Sequence, residues 1–184
     1  MIEPRRRGRE RHSAAGRMMM TQQADEVLRL ENQFCFALYS ATHAVMRSYR
    51  PLLDPLGLTY PQYLVMLQLW GEGEQTVGGL ADRMFLDPST LTPLLKRLEG
   101  MGLVERRRNP QNERQLFVRA TEAGSALKEK ARAIPAALLC NSGRDLSDLL
   151  RLRDDLKEIR GAFDAARRPE GESSEAAGGS PGPV

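Results

Sequence analysis

The chain has 184 residues, of which 41% are hydrophobic and 5% aromatic, and a formal net charge of +3. That is one domain of common size plus tails, with enough apolar residues for a core. No apolar run approaches the roughly 18 residues of a membrane helix, and the early arginines are followed by no apolar stretch of the kind a secretory signal needs.

Cys35 and Cys140 are the two cysteines, without a CxxC, so neither a disulfide scaffold nor a zinc site is expected. His12 and His43 stand alone. The expectation is a cytoplasmic protein with reduced thiols, no metal and no cofactor.

Residues 1–22 form a basic arm with Arg5, Arg6, Arg7, Arg9, Arg11 and Arg17, expected to be disordered. Residues 23–168 are expected to form the domain, and the acidic, Gly/Pro-rich residues 169–184 a disordered tail. A first helix is expected over about 25–50, including LENQFCFALYSATHAVMRSYR. Cys35 falls on its apolar side, and Leu38, Tyr39, Thr42 and Tyr49 lie near the same face. By residue type alone, Cys35 is either a small core hydrophobe or a reactive thiol.

Pro51 and the turn Asp54-Pro55-Leu56-Gly57 are expected to stop this helix. Thr59 then caps YPQYLVMLQLW, apolar nearly all round and so buried. Thr76 caps the short VGGLADRMF. Asp87-Pro88 opens STLTPLLKRLEGMG as N-cap and first helical residue. Leu91, Leu94, Leu95 and Leu98 point inward, leaving Ser89, Thr90, Thr92, Lys96 and Arg97 outside. LVERRR and RQLFVRAT flank the turn residues NPQNE and read as a two-stranded hairpin. Thr121 caps a helix to about Ile134, Pro135 kinks it or opens a continuation through Cys140, and residues 145–167 form a last amphipathic helix.

This order predicts a mainly α protein with a small β wing: a winged helix-turn-helix, its DNA-binding module at about 59–120. Hydroxyls at the N-terminus of the 88–101 helix sit where main-chain N–H groups favour phosphate. Arg106, Arg107, Arg108 and Arg114 on the hairpin suit a narrow minor groove. Charge runs are usually solvated faces, but a capped polar-faced helix directly before an arginine hairpin is a more specific pattern. The terminal helices, about 25–50 and 121–167, are too apolar for a monomer. A two-fold dimer would bury them and place two reading helices on pseudo-palindromic double-stranded operator DNA.

The segments LENQFCFALYSA, YRPLLDPLGLTYPQYLVMLQLW, FLDPSTLTPLLKRLEGMGLVERRR and NERQLFVRATEAG resemble the organic hydroperoxide resistance regulators, a branch of the MarR family, over about residues 28–165. The resemblance implies a homodimeric winged-helix repressor, not an enzyme, that leaves DNA when an organic hydroperoxide oxidises one cysteine. Cys35 matches that cysteine by motif position, and Tyr49 and Tyr60 match tyrosines that hydrogen-bond it. Cys140, after Ile134-Pro135, stands where two-cysteine members carry a resolving cysteine, which implies a disulfide between Cys35 of one subunit and Cys140 of the other. Pro88 departs from the Ser often found there, and Asn112 from an Asp.

On a straight helix Tyr49 lies about 21 Å from Cys35, so the two can meet only across a pair of antiparallel chains. Two rivals carry different expectations. A repressor sensing a small phenolic or carboxylate ligand would leave Cys35 inert. A thiol peroxidase would need a Thr or Arg within a turn of Cys35, and none is there.

Overall fold

The computed structural model describes residues 26–110 and 112–166, apart from the side chains of Glu113 and Arg114. The expected basic arm, the acidic tail and the Arg114 side chain lie outside the described residues. The chain divides into two compact units, one up to Ile134 and one from Pro135.

In the first unit, helix α1 spans Phe34–Leu53. It begins later than its amphipathic pattern suggests. A single 3-10 turn, Leu30–Asn32, precedes it, and Gln33 is extended at φ −82° and ψ 118°. Side-chain amides hold this break: Asn32 donates to the Glu26 carbonyl at 2.9 Å and Gln33 to the Arg29 carbonyl at 3.3 Å. Apolar spacing carries no record of such local competition for carbonyls. Nor does Pro51 stop the helix; it sits inside the last turn. Proline's fixed φ is helical, and its cost there, a missing N–H and crowding of the carbonyl four residues back, is borne within the last turn. The end comes at the 3-10 turn Asp54–Leu56, closed by Gly57 at φ 66°.

Helix α2 (Tyr60–Glu72) is capped by Thr59, whose N–H donates to Gln62 Oε1 at 2.8 Å. Strand β1 (Gln75–Thr76) follows, then α3 (Val77–Met84), where the Thr76 hydroxyl accepts from the Gly79 N–H at 3.0 Å. Phe85 breaks the chain in the left-handed region at φ 55°. Helix α4 (Pro88–Gly100) starts as expected at Asp87-Pro88, but the Asp87 side chain makes no cap bond. The Asp87 carbonyl instead accepts from the Thr90 and Leu91 N–H groups at 2.9 and 3.1 Å.

Strands β2 (Val104–Asn109) and β3 (Asn112–Ala120) pair antiparallel, from Val104 opposite Ala120 to Arg108 opposite Leu116. The sheet has three strands, not two, in the order β1-β3-β2. A two-residue strand is too short to show any period. Helix α5 (Glu122–Ala131) is capped by Thr121, whose hydroxyl accepts from Gly124 and donates to the Gly102 carbonyl at 2.6 Å.

One core holds these elements together. Leu53, Leu58, Val65, Met66, Leu80, Leu91, Leu95, Leu98, Val104, Val118 and Ile134 are all buried in it. Each fully buried Leu contributes about 1.5–3 kcal/mol, so the inward stripe of α4 alone fixes that helix firmly.

Helix α6 (Ile134–Ser142) starts afresh with Pro135 in its first turn, and α7 covers Leu146–Ala166. Among the described residues no helix is long and apolar enough to cross a membrane.

Candidate functional site

Two regions carry the candidate residues: the outer face of α4 with the hairpin, and the thiols with their tyrosines.

Leu91, Leu95 and Leu98 anchor α4 inward, so Ser89, Thr90, Lys96 and Arg97 are exposed on its other side. Thr92 is partly exposed, and its hydroxyl donates to the Pro88 carbonyl at 2.7 Å. First-turn N–H groups and hydroxyls at a helix end favour a nearby phosphate. Lys96 and Arg97 extend the positive face by a further turn.

The hairpin is less simple than its arginine count. Arg106 Nε donates to Glu99 Oε2 at 2.9 Å, and its Nη2 meets the same oxygen. Arg107 binds Glu74 through two bonds, at 2.7 and 2.6 Å. Arg119 pairs with Glu105 across the strands. Hydrogen bonds from Arg106 and Arg107 hold the Glu99 and Glu74 carboxyls below the usual carboxylate range. Arg108 is exposed and makes no ion pair among the described residues. Sequence reasoning found the arginines and missed Glu74 and Glu99. Glu99 sits on α4 and Glu74 in the turn before β1, and spacing along the hairpin does not reveal them.

Cys35 is the second residue of α1 and is exposed; Cys140, on α6, is exposed too. Neither is the buried filler that an apolar helix face suggests. First-turn N–H groups have no helical acceptor and favour a nearby anion. Among the described residues nothing covers the apolar face around Cys35: Phe34, Leu38, Tyr39 and Val45 are exposed, and Leu53 is the buried residue of α1. In the second unit, Leu146, Leu150, Leu152 and Phe163 of α7 are exposed, and no α7 residue is buried.

Tyr49 and Tyr60 come together at the far end of α1, with ring centroids 4.6 Å apart. Tyr63 lies 5.9 Å from Tyr49, and Trp70 6.3 Å from Tyr63. The Trp70 indole N–H donates to the Gly124 carbonyl at 2.9 Å. Burial, with help from Tyr60 and Tyr63, pushes the Tyr49 phenol up to about 12. Burial also raises Tyr60 and Tyr63. All three phenols are therefore neutral donors at physiological pH. The i, i+3 spacing of Tyr60 and Tyr63 could have signalled the third member. Among the described residues no cluster of His, Cys, Asp and Glu could hold a metal ion.

A helix with a buried leucine stripe and a hydroxyl-rich outer face, followed by a hairpin on a small sheet, defines a winged-helix DNA-binding protein. The MarR family model matches residues 58–116. The organic hydroperoxide resistance transcriptional regulator of Bacillus subtilis (strain 168) is 44% identical over 129 residues, 70% of this chain and 88% of that one. The chain belongs to the MarR family and is a transcriptional regulator of that type. Among solved structures, reduced AbfR of Staphylococcus epidermidis bound to DNA is 34% identical with a TM-score of 0.62, covering 76% of this chain and 98% of that one. Disulfide-formed AbfR is 32% identical with a TM-score of 0.52, covering 79% of this chain and 97% of that one.

Proposed function

We propose that the protein is a homodimeric repressor of pseudo-palindromic operator DNA, released when an organic hydroperoxide oxidises Cys35. The observation that carries this reading is an exposed thiol in the first turn of a helix whose apolar face has no partner among the described residues. A second copy would cover that face. In an antiparallel pair, the Tyr49 and Tyr60 phenols of one subunit reach the Cys35 region of the other and donate to its thiolate. Disulfide-formed AbfR and the hydroperoxide regulator of Bacillus subtilis support the chemistry.

The Cys35 thiolate attacks one peroxide oxygen. The O–O bond breaks, an alcohol leaves, and the sulfur becomes a sulfenic acid. The Cys140 thiol of the other subunit then displaces water and forms a disulfide. The first step takes two electrons from sulfur; the second is a condensation that takes none, so the hydroperoxide is the only oxidant needed. Operator contacts come from Ser89, Thr90, Thr92, Lys96 and Arg97 on α4 and from wing arginines.

The packed phenols of Tyr49, Tyr60 and Tyr63 favour a second reading, in which the dimer cleft holds a small phenolic ligand and Cys35 is inert. Operator binding at several salt concentrations, before and after one equivalent of cumene hydroperoxide, tests the first. Reduced protein should show a steep salt slope, and oxidised protein should lose the operator. Unchanged binding after oxidation contradicts the redox reading and leaves the ligand reading standing.

A further inference from the structure

Arg106 and Arg107 are consecutive on β2, so their side chains leave opposite faces of the strand. Each is held by a glutamate from a different part of the fold. On one face, Glu99 in the last turn of α4 accepts from Arg106 Nε and Nη2, and from the Arg106 main-chain N–H at 3.3 Å. On the other face, Glu74, just before β1, takes both ends of the Arg107 guanidinium. That guanidinium also lies 5.5 Å from the centroid of Phe117, its neighbour across the hairpin. The Arg106 side chain is only 20% exposed.

We propose that Arg106 and Arg107 orient the wing rather than read DNA, with Glu99 and Glu74 as the positioning residues; this rests on the DNA-binding reading above. Two clamps on opposite faces fix β2 against rotation about its own axis. One of them ties the wing directly to the end of the groove-reading helix. The Arg107–Glu74 pair is bidentate, and Glu99 holds the side chain and the main-chain N–H of Arg106 at once, which confers direction as well as attraction. Exposed ion pairs add little to stability, so the effect of these pairs falls on geometry. Among the described residues, Arg108, one residue nearer the tip, is then the unpaired wing guanidinium available for phosphate or a minor groove.

Electrostatics alone predicts the opposite of this proposal for one variant. Glu99→Gln removes a negative charge beside a polyanion. If DNA simply breaks the pair, the variant binds every duplex more tightly and keeps its preference. If Glu99 positions the wing, operator affinity falls while affinity for random duplex does not.

The test uses a duplex enriched from a random library by the wild-type protein and a random duplex of equal length. Variants are Glu99→Gln, Arg106→Gln, their double, Glu74→Gln and Arg108→Gln, each checked for an unchanged thermal midpoint. We expect Glu99→Gln and Arg106→Gln each to lower the operator-to-random ratio about tenfold, and the double no further than either single, as a shared contact requires. Arg106→Gln should leave the salt slope unchanged, whereas Arg108→Gln should reduce it by about 0.9 per lost phosphate contact. Glu74→Gln should lower the ratio through the opposite face. A preserved ratio with tighter binding throughout, or a reduced salt slope in Arg106→Gln, overturns the proposal. A wild-type protein that enriches no sequence overturns the DNA-binding reading beneath it.

Discussion

Tyr49 and Tyr60 pack ring against ring, their centroids 4.6 Å apart and their planes at 41°, joining the end of α1 to the first residue of α2. The contact holds two neutral phenols at one spot, about 21 Å along the helix from Cys35 of the same chain. If those phenols serve the thiol of a second subunit, Tyr49→Phe keeps the ring and loses the donor. Thiol oxidation by cumene hydroperoxide, followed by stopped flow, should slow about tenfold, a barrier raised by about 1.4 kcal/mol. Operator affinity of the reduced protein should not change. An unaltered rate would remove Tyr49 from the sensor.

The same cluster sets a pH dependence. The Tyr49 proton is held up to about pH 12 in the folded chain, against about 10 for an unfolded tyrosine. A raised phenol contributes stability that is fully present below pH 10 and is lost as pH climbs toward 12. The urea midpoint should therefore fall through that window, and fall less steeply in Tyr49→Phe. An identical slope in the variant would assign the decline to other groups.

Leu38 on α1 and Leu152 on α7 are 39% and 53% exposed, an unusual cost for leucines on two long helices. Leu38→Glu and Leu152→Glu should each shift the protein toward monomer in sedimentation velocity, with operator affinity falling at least tenfold. Retention of a tight dimer by both variants would place the interface elsewhere.

Gly124 is buried where α5 meets the base of the wing, and a Cβ there would stand 2.0 Å from the Leu103 carbonyl oxygen. No rotamer relieves a clash with backbone, so Gly124→Ala should destabilise the first unit by about 3 kcal/mol or more. Chemical denaturation measures this directly. A loss under 1 kcal/mol would mean that the α5–wing junction is loosely packed.

Much of this was legible in the sequence because it rests on local chemistry. Thr59, Thr76 and Thr121 mark helix starts through capping, and the Leu91, Leu95 and Leu98 stripe marks the inner face of α4. The misread features depend on competition or distance. Gln33 breaks the first helix because amide side chains take carbonyls behind it. β1 exists because β3 offers it an edge. The Glu74–Arg107 and Glu99–Arg106 pairs join residues 33 and 7 positions apart, from a turn and from a helix to the wing. An arginine's availability for DNA is a tertiary property, invisible in a run of three.

The role of Cys35 is tested most directly by operator release with cumene hydroperoxide in wild type, Cys140→Ser and Cys35→Ser, with non-reducing gels of the same samples. Wild type should leave the operator and form a cross-linked dimer. Cys140→Ser should react without cross-linking, and Cys35→Ser should bind DNA normally and stay bound at any peroxide dose that releases wild type. Release of Cys35→Ser at the wild-type dose would contradict the account.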